Sequence, residues 1–390
     1  MKVSPNNSYF RITHKDKKTK ARVGVIMTKS GKIETPFFMP VATKTAVKHI
    51  TSLDLKEMGC SAVISNTFIL HLRPGEQLIK ELGGIGKFMN FQGINVTDSG
   101  GFQMYSPSLY IKSNEKGVYF KDPFEKKTIF ITPEKDMQIQ IDLNSDIAMC
   151  LDTMPLLHHS KKDIELAVER TTQWAQRCKI EHDRLQSKLK STKKQLLWGI
   201  MQGGIHKDLR KKSAQEMSKI NFDGYSIGGL ALGETLDEEM KMIEVQKAII
   251  PETKPCYLMG AGNPIELLEA ISRGVDMFDS RFPTQNARHG TILTSKGKLR
   301  IFRKEYSKDT SPIDENCDCF VCKNYTRAYI KYQLTQEEAV GMRLATFHNL
   351  YYLMRLMEQA RAAIKQGKFS EFKNKIKKIY DKEDKTVKTK

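Results

Sequence analysis

Two sets of residues in this chain have types and spacings suited to chemistry. Cys317, Cys319 and Cys322, followed by His348, give the pattern C-x-C-x2-C-x25-H. Three thiolates and an imidazole complete a tetrahedral zinc shell, and a zinc ion with no open position stabilises a fold without catalysing a reaction. The remaining cysteines of the seven are isolated and lack ligand spacing. The second set is acidic: Asp98, Asp152 and Asp279 each stand at the end of a short apolar run. If those ends converge, mutual repulsion raises at least one carboxyl pKa, separating a proton-carrying acid from an ionised nucleophile. That division of labour suits cleavage at a sugar anomeric carbon through a covalent glycosyl intermediate. Any one of these aspartates alone would read as a helix N-cap or a turn residue.

Other residues at run ends suit recognition of a planar ligand. Gln202-Gly203-Gly204, Gly228-Gly229-Leu230 and Met259-Gly260 offer backbone N–H groups where glycine permits close approach. Phe102 and Met259 present faces on which a base could stack, and Asp152 with Gln202 fits the donors and acceptors of a guanine edge. For Phe102 and Met259, core packing is the alternative.

The elements that must position these groups recur in a regular order. Eight short apolar runs are Pro36 to Pro40, Ala62 to Ser65, Ile94 to Thr97, Asp146 to Leu151, Leu196 to Met201, Gly224 to Ile227, Tyr257 to Met259 and Val275 to Phe278. Helical patterns follow most of them, at Leu53 to Met58, Gly75 to Leu82, Lys161 to Lys188, Leu209 to Ile220, Asp237 to Ile249 and Pro264 to Arg273. This alternation predicts an α/β fold, a (β/α)8 TIM barrel whose polar residues meet at the carboxyl ends of the strands. An inserted β-hairpin is expected over Gly117 to Thr132. A zinc-binding subdomain at about 291–350 is expected before and within a long helix, Gln336 to Gln366. The whole of 1–380 reads as one catalytic domain, and the Lys-rich 381–390 as a disordered basic tail.

Composition narrows the class further. The chain has 390 residues and a formal charge of +19, which suits a polyanion partner, with lysine-rich stretches at Lys15 to Arg22, Lys188 to Lys194 and Lys373 to Lys378. No apolar run is long enough for a membrane span, and no signal-peptide core follows Met1. A cytoplasmic location and a reduced state for the cysteines are expected.

With these residues in place, the sequence resembles the tRNA-guanine transglycosylases, or queuine tRNA-ribosyltransferases, of bacterial type. The likeness runs from about Phe10 to Phe372 and rests on ordered motifs: Thr35-Pro36-Phe37-Phe38-Met39-Pro40-Val41, Leu72-Arg73-Pro74-Gly75, Asp98-Ser99-Gly100-Gly101-Phe102-Gln103, Gln202-Gly203-Gly204, Gly228 to Glu234, Tyr257-Leu258-Met259-Gly260, Met277-Phe278-Asp279, Ala287-Arg288-His289-Gly290 and the cysteine cluster. The resemblance implies exchange of guanine at the wobble position of GUN-anticodon tRNA for a 7-deazaguanine base, one structural zinc, and a homodimer. It implies Asp279 as the nucleophile and Asp98 as the general acid/base. It also implies a base-binding set of Asp98, Ser99, Phe102, Asp152, Gln202, Gly229, Leu230, Met259 and Gly260. Arg288 and Gln285 fall where RNA contacts are expected, although the family commonly has Arg at the latter. Ile69 and Met154 also depart from the family pattern. At Leu232 eukaryotic catalytic subunits tend to have Gly and bacterial members Val, so a bulkier Leu implies the smaller 7-aminomethyl-7-deazaguanine over queuine. The rival readings are a zinc-dependent hydrolase on the same barrel and a non-catalytic tRNA-binding partner subunit, the latter disfavoured by the presence of both Asp98 and Asp279.

Overall fold

The computed structural model describes residues 9–101, 109–125, 127–154, 159–189 and 194–387, with side chains as far as 381. Eight parallel strands form its centre: Phe37–Pro40, Ala62–Asn66, Ile94–Asp98, Ile147–Met149, Leu196–Met201, Gly224–Ile227, Cys256–Leu258 and Met277–Ser280. Each of the last seven pairs with its neighbour in sequence, and the eighth pairs with the first, placing Asp279 beside Met39. Val41 bridges Ile64 in parallel, and the Ala42 N–H donates to the Ile64 carbonyl at 2.7 Å, so the sheet closes on itself. The expected (β/α)8 barrel is therefore present, its strand limits within two residues of those expected.

The barrel interior explains why these segments read as near-continuous apolar runs. Strands covered on both faces need apolar residues at every position. Inward-facing Phe37, Met39, Ala62, Ile64, Ile94, Val96, Ile147, Met149, Leu196, Trp198, Ile200, Tyr257 and Met277 form one buried cluster, while the alternate residues pack outward against the helices. Continuing the two-residue period one step past this cluster brings Asn66, Asp98, Gln202, Met259 and Asp279 onto the same inner face. The strands thus build an apolar plug topped by a polar layer.

The helices are fixed by local signals. Lys161–Lys188 opens with a capping box, Ser160 accepting from the Asp163 N–H while Asp163 reaches back to Ser160, and buries a stripe from Ile164 through Val168, Thr171, Ala175 and Cys178 to Leu185. Thr235 with Glu238, and Asn263 with Glu266, repeat the device at Leu236–Lys247 and Pro264–Ser272.

Four features differ from the sequence reading. An antiparallel sheet of Phe10–Lys15, Arg22–Met27 and Lys32–Thr35 precedes the barrel, and its Phe10, Ile26 and Ile33 join the interior cluster. It is tied to the barrel by the buried Arg22, whose guanidinium donates to Asp276 at 2.9 and 2.6 Å. The expected hairpin has a third strand, Tyr110–Asn114, beside Gly117–Lys121 and Thr128–Ile131. The long helix begins later, at Ala339–Lys365, after a separate helix Arg327–Thr335. Finally, a helix spans Phe369–Val387, overlapping the segment expected to be a disordered tail; Phe369, Ile376 and Tyr380 give it a buried face. No helix among the described residues is long and apolar enough to cross a membrane.

Candidate active site

At the carboxyl ends of the strands the structure brings Asp98, Asp152 and Asp279 into one electrostatic neighbourhood. Asp98 Oδ2 accepts from the Asn66 side-chain amide at 3.2 Å. Burial first, then the charges of Asp152 and Asp279, push the Asp98 carboxyl up to about 7, against the pull of donors from Gly100 and Asn66. Its protonation state therefore changes near neutral pH, where a group that both gives and takes a proton is most effective. Asp152 is 5 % exposed and accepts from Gln202 Nε2 at 2.7 Å and from the Ser99 hydroxyl at 3.5 Å. Burial raises its carboxyl to about 6, while the Gln202 and Ser99 donors oppose the rise.

Asp279 is held differently. The Tyr257 hydroxyl donates to Oδ1 at 2.5 Å and the Gly260 N–H donates to the same oxygen at 3.0 Å. Burial raises this carboxyl above the usual carboxylate range, and the two donors oppose the rise without cancelling it. Since both converge on Oδ1, Oδ2 is left without a hydrogen-bond donor among the described residues. A carboxylate with one oxygen fixed and the other free is oriented for attack on an electrophilic carbon.

Around these acids lies a surface of amide groups. Gln202 is fully buried; its Nε2 donates to Asp152, and its Oε1 has no hydrogen-bond partner among the described residues. Gly229 lies at φ +65°, and a Cβ there would stand 2.4 Å from Gln202 Oε1, so the position admits only glycine without displacing that amide. Leu230 is buried, Met259 is half-buried and Gly260 is exposed at the rim. A Cβ on Gly101 would fall 2.4 Å from Asp152 Oδ1, so glycine is needed there too for the carboxyl to sit where it does. Of the expected site residues, Asp98, Ser99, Asp152, Gln202, Gly229, Leu230, Met259, Gly260 and Asp279 all lie at the carboxyl ends of the barrel strands. Phe102 lies outside the described residues. Gln285 is exposed and Arg288 half-buried on the short helix Phe282–Arg288 after the eighth strand. Arg288 has cationic company: Arg281 adds to the effect of burial in lowering its pKa, and His49 is lowered by burial, by Lys48 and by Arg288.

Three contributors were not singled out in the sequence. Tyr257 and Asn66 belong to apolar strands, and only their inward register marks them. Arg210, in the first turn of the helix Lys207–Ile220, is a cation where the helix dipole disfavours one. That anomaly was the available signal.

The set that could hold a metal ion lies after the last barrel strand. The Sγ atoms of Cys317, Cys319 and Cys322 and Nδ1 of His348 all fall within 4.8 Å of one another. His348 Nδ1 is 3.7, 3.6 and 3.3 Å from the three sulfurs in turn. A tetrahedral zinc site requires sulfur-to-nitrogen separations of roughly 3.5 Å, so the donors fit such an ion. The other ring nitrogen of His348 meets the Leu293 carbonyl at 2.8 Å, which fixes the tautomer with Nδ1 free to ligate. Asn349, next on the same helix, donates to the Pro283 and Thr291 carbonyls and accepts from the Leu293 N–H. The cluster therefore pins the long helix to the chain leaving the eighth strand.

The chain is similar to known proteins over nearly its whole length. The family model described as queuine tRNA-ribosyltransferase matches residues 16–382. A queuine tRNA-ribosyltransferase of Fusobacterium nucleatum is 46% identical over 374 residues, covering 95% of this chain and 98% of the relative. The protein of that name from Pelotomaculum thermopropionicum is 44% identical over 371 residues, covering 95% and 98%. One from Clostridium perfringens is 46% identical over 368 residues, covering 94% and 97%. A match of this extent, on a barrel whose strand ends gather the acids and amides described above, shows that the chain belongs to the queuine tRNA-ribosyltransferase family.

Proposed function

We propose that this enzyme exchanges guanine at the wobble position of GUN-anticodon tRNA for a 7-deazaguanine base by double displacement. Asp279 Oδ2 attacks the ribose C1′, the bond from C1′ to the base nitrogen breaks, and the departing guanine takes a proton from the Asp98 carboxyl. The incoming base gives a proton to the Asp98 carboxylate as its ring nitrogen attacks C1′ and expels Asp279. No ATP is needed, since the covalent ester conserves the glycosidic bond energy. The observation that carries this reading is the unequal treatment of two carboxyls in one mouth. Asp98 titrates near 7, whereas Asp279 is held by donors on one oxygen only.

Asp152 accepts from the N–H groups of the guanine edge, and the second N–H of Gln202 Nε2, with the Gly229 and Leu230 backbone amides, meets its oxygen. Met259 supplies one apolar face, and Phe102 is assigned the other. Ser99 and Gly260 border the same pocket. Leu232, half-buried on the loop after the sixth strand, narrows it toward 7-aminomethyl-7-deazaguanine. Arg288, with Lys48 and Arg281 nearby, suits the anticodon-loop phosphates, and Gln285 extends that contact without charge.

Zinc is the ion we assign to the Cys317, Cys319, Cys322 and His348 set, as a structural group that supplies rigidity and no chemistry at the mouth. The exposed Tyr329 and Tyr332, with Leu53 on a helix tied to the long helix by the Asp54–Arg343 ion pair, leave apolar surface for a second copy in a cytoplasmic homodimer. Incubation with labelled guanine and unmodified tRNA tests the function. Label in the wobble nucleotide is expected, and its absence with active protein would overturn the proposal.

A further inference from the structure

The loops after the fifth and sixth barrel strands share one buried anchor that the exchange mechanism leaves unused. Arg210 has no exposed surface, and its guanidinium donates to main-chain carbonyls of both loops. Nε reaches the Gly204 oxygen at 2.7 Å, Nη1 the Gly228 oxygen at 2.7 Å, and Nη2 the Gly229 oxygen at 2.9 Å. Nη1 also lies 3.4 Å from the Met201 oxygen and 3.4 Å from Gln246 Oε1. Burial lowers its pKa to about 9, with Glu234 and Glu239 drawing it back up, so it is charged at neutral pH. It makes no carboxylate ion pair among the described residues.

The geometry of a trans peptide gives this anchor a consequence. Within one peptide unit C=O and N–H point in opposite directions. With the Gly228 and Gly229 carbonyls both drawn to the guanidinium, the N–H groups of Gly229 and Leu230 must both point away from it. Neither N–H has a hydrogen-bond partner among the described residues. Gly229, at φ +65°, is in the left-handed conformation that turns successive N–H groups into an anion-binding concavity. A single positive charge thus orients two adjacent donors and lies directly behind them.

We propose that Arg210 is a positioning residue that aims the Gly229 and Leu230 amides at the exocyclic oxygen of the base and stabilises negative charge developing on that oxygen as the base departs. This inference rests on the base-exchange reading above. Preorganised donors backed by a fixed charge act most strongly where charge appears in the transition state.

The test compares wild-type protein with Arg210→Met and Arg210→Lys, using guanine and 2-aminopurine, which lacks the exocyclic oxygen, as probes of binding in the presence of tRNA. Guanine affinity should fall at least about tenfold in Arg210→Met, the expected cost of losing charge-assisted hydrogen bonds. Affinity for 2-aminopurine should change less than about threefold, since the amides aimed by Arg210 do not serve it. Lysine reaches fewer carbonyls, so Arg210→Lys should show a smaller loss with the same selectivity for guanine. It also supplies the comparison if the methionine variant does not fold. Equal weakening of both probes in the folded variants, or no change, would overturn the inference. Failure of the wild-type protein to exchange guanine at all would instead refute the base-exchange reading on which it rests.

Discussion

Replacing Asp98 with asparagine should abolish exchange and yet stabilise the protein, increasingly so as pH rises. The Asp98 carboxyl is raised from 3.8 to about 7, by burial first and then by Asp152 and Asp279. Between those two values the folded chain binds more protons than the unfolded chain, so its stability falls as pH rises through the window. Below the lower value both states are protonated and the effect vanishes; above the upper one the whole cost is present. At about 1.4 kcal/mol per pKa unit that cost is on the order of 4 kcal/mol, an upper figure because the mouth admits solvent. Asparagine keeps the shape, can still accept from Asn66 and never ionises. The stability gap between Asp98→Asn and wild type should therefore widen by about 2–3 kcal/mol between pH 5 and pH 8.5. At an unfolding entropy of about 2.1 cal/mol/K per residue, this corresponds to about 3 °C in a chain of 390 residues. Thermal melts of both proteins across that range provide the measurement. A gap that stays constant with pH, or a variant that loses ground to wild type at pH 8.5, would refute the electrostatic argument.

Three other outcomes follow from the geometry. Tyr257→Phe removes a donor to Asp279 Oδ1, so the carboxyl pKa should rise and the acid limb of the kcat/KM profile should move up by about 1–2 pH units; an unmoved limb would count against Asp279 acting as a carboxylate. Leu232→Gly should open the pocket and raise queuine incorporation at least about tenfold relative to 7-aminomethyl-7-deazaguanine, the scale on which pocket shape discriminates; an unchanged ratio in competition assays would show that Leu232 does not gate the base. Chelation of the metal should remove exchange activity and helical circular dichroism together. Activity lost from a fully folded protein would move the metal into the chemistry.

Most of the barrel could be read from the sequence because parallel strands covered on both faces must be apolar at every position. Ala62–Asn66 and Leu196–Met201 are buried throughout. Asp98, Gln202 and Asp279 were legible for the same reason, each being the first polar residue to continue an inward-facing series. The N-terminal sheet was not, since short alternating strands give weak periodic signals and Arg22 finds Asp276 only through a contact spanning 254 residues. The final helix was hidden by its lysines, although Phe369, Ile376 and Tyr380 mark a buried face at helical spacing. Tyr257 reads as ordinary strand core until its hydroxyl is seen on Asp279. Arg210 reads as a surface cation until its carbonyl partners are known.

The central claim is that Asp279 forms a bond to the ribose. Incubating the enzyme with unmodified GUN-anticodon tRNA, quenching in denaturant and separating the products would test it directly. A covalent protein–RNA species, released by added guanine and absent from Asp279→Ala but otherwise normally folded protein, is the predicted result. An adduct that persists in Asp279→Ala, or exchange of labelled guanine by that variant at the wild-type rate, would contradict it.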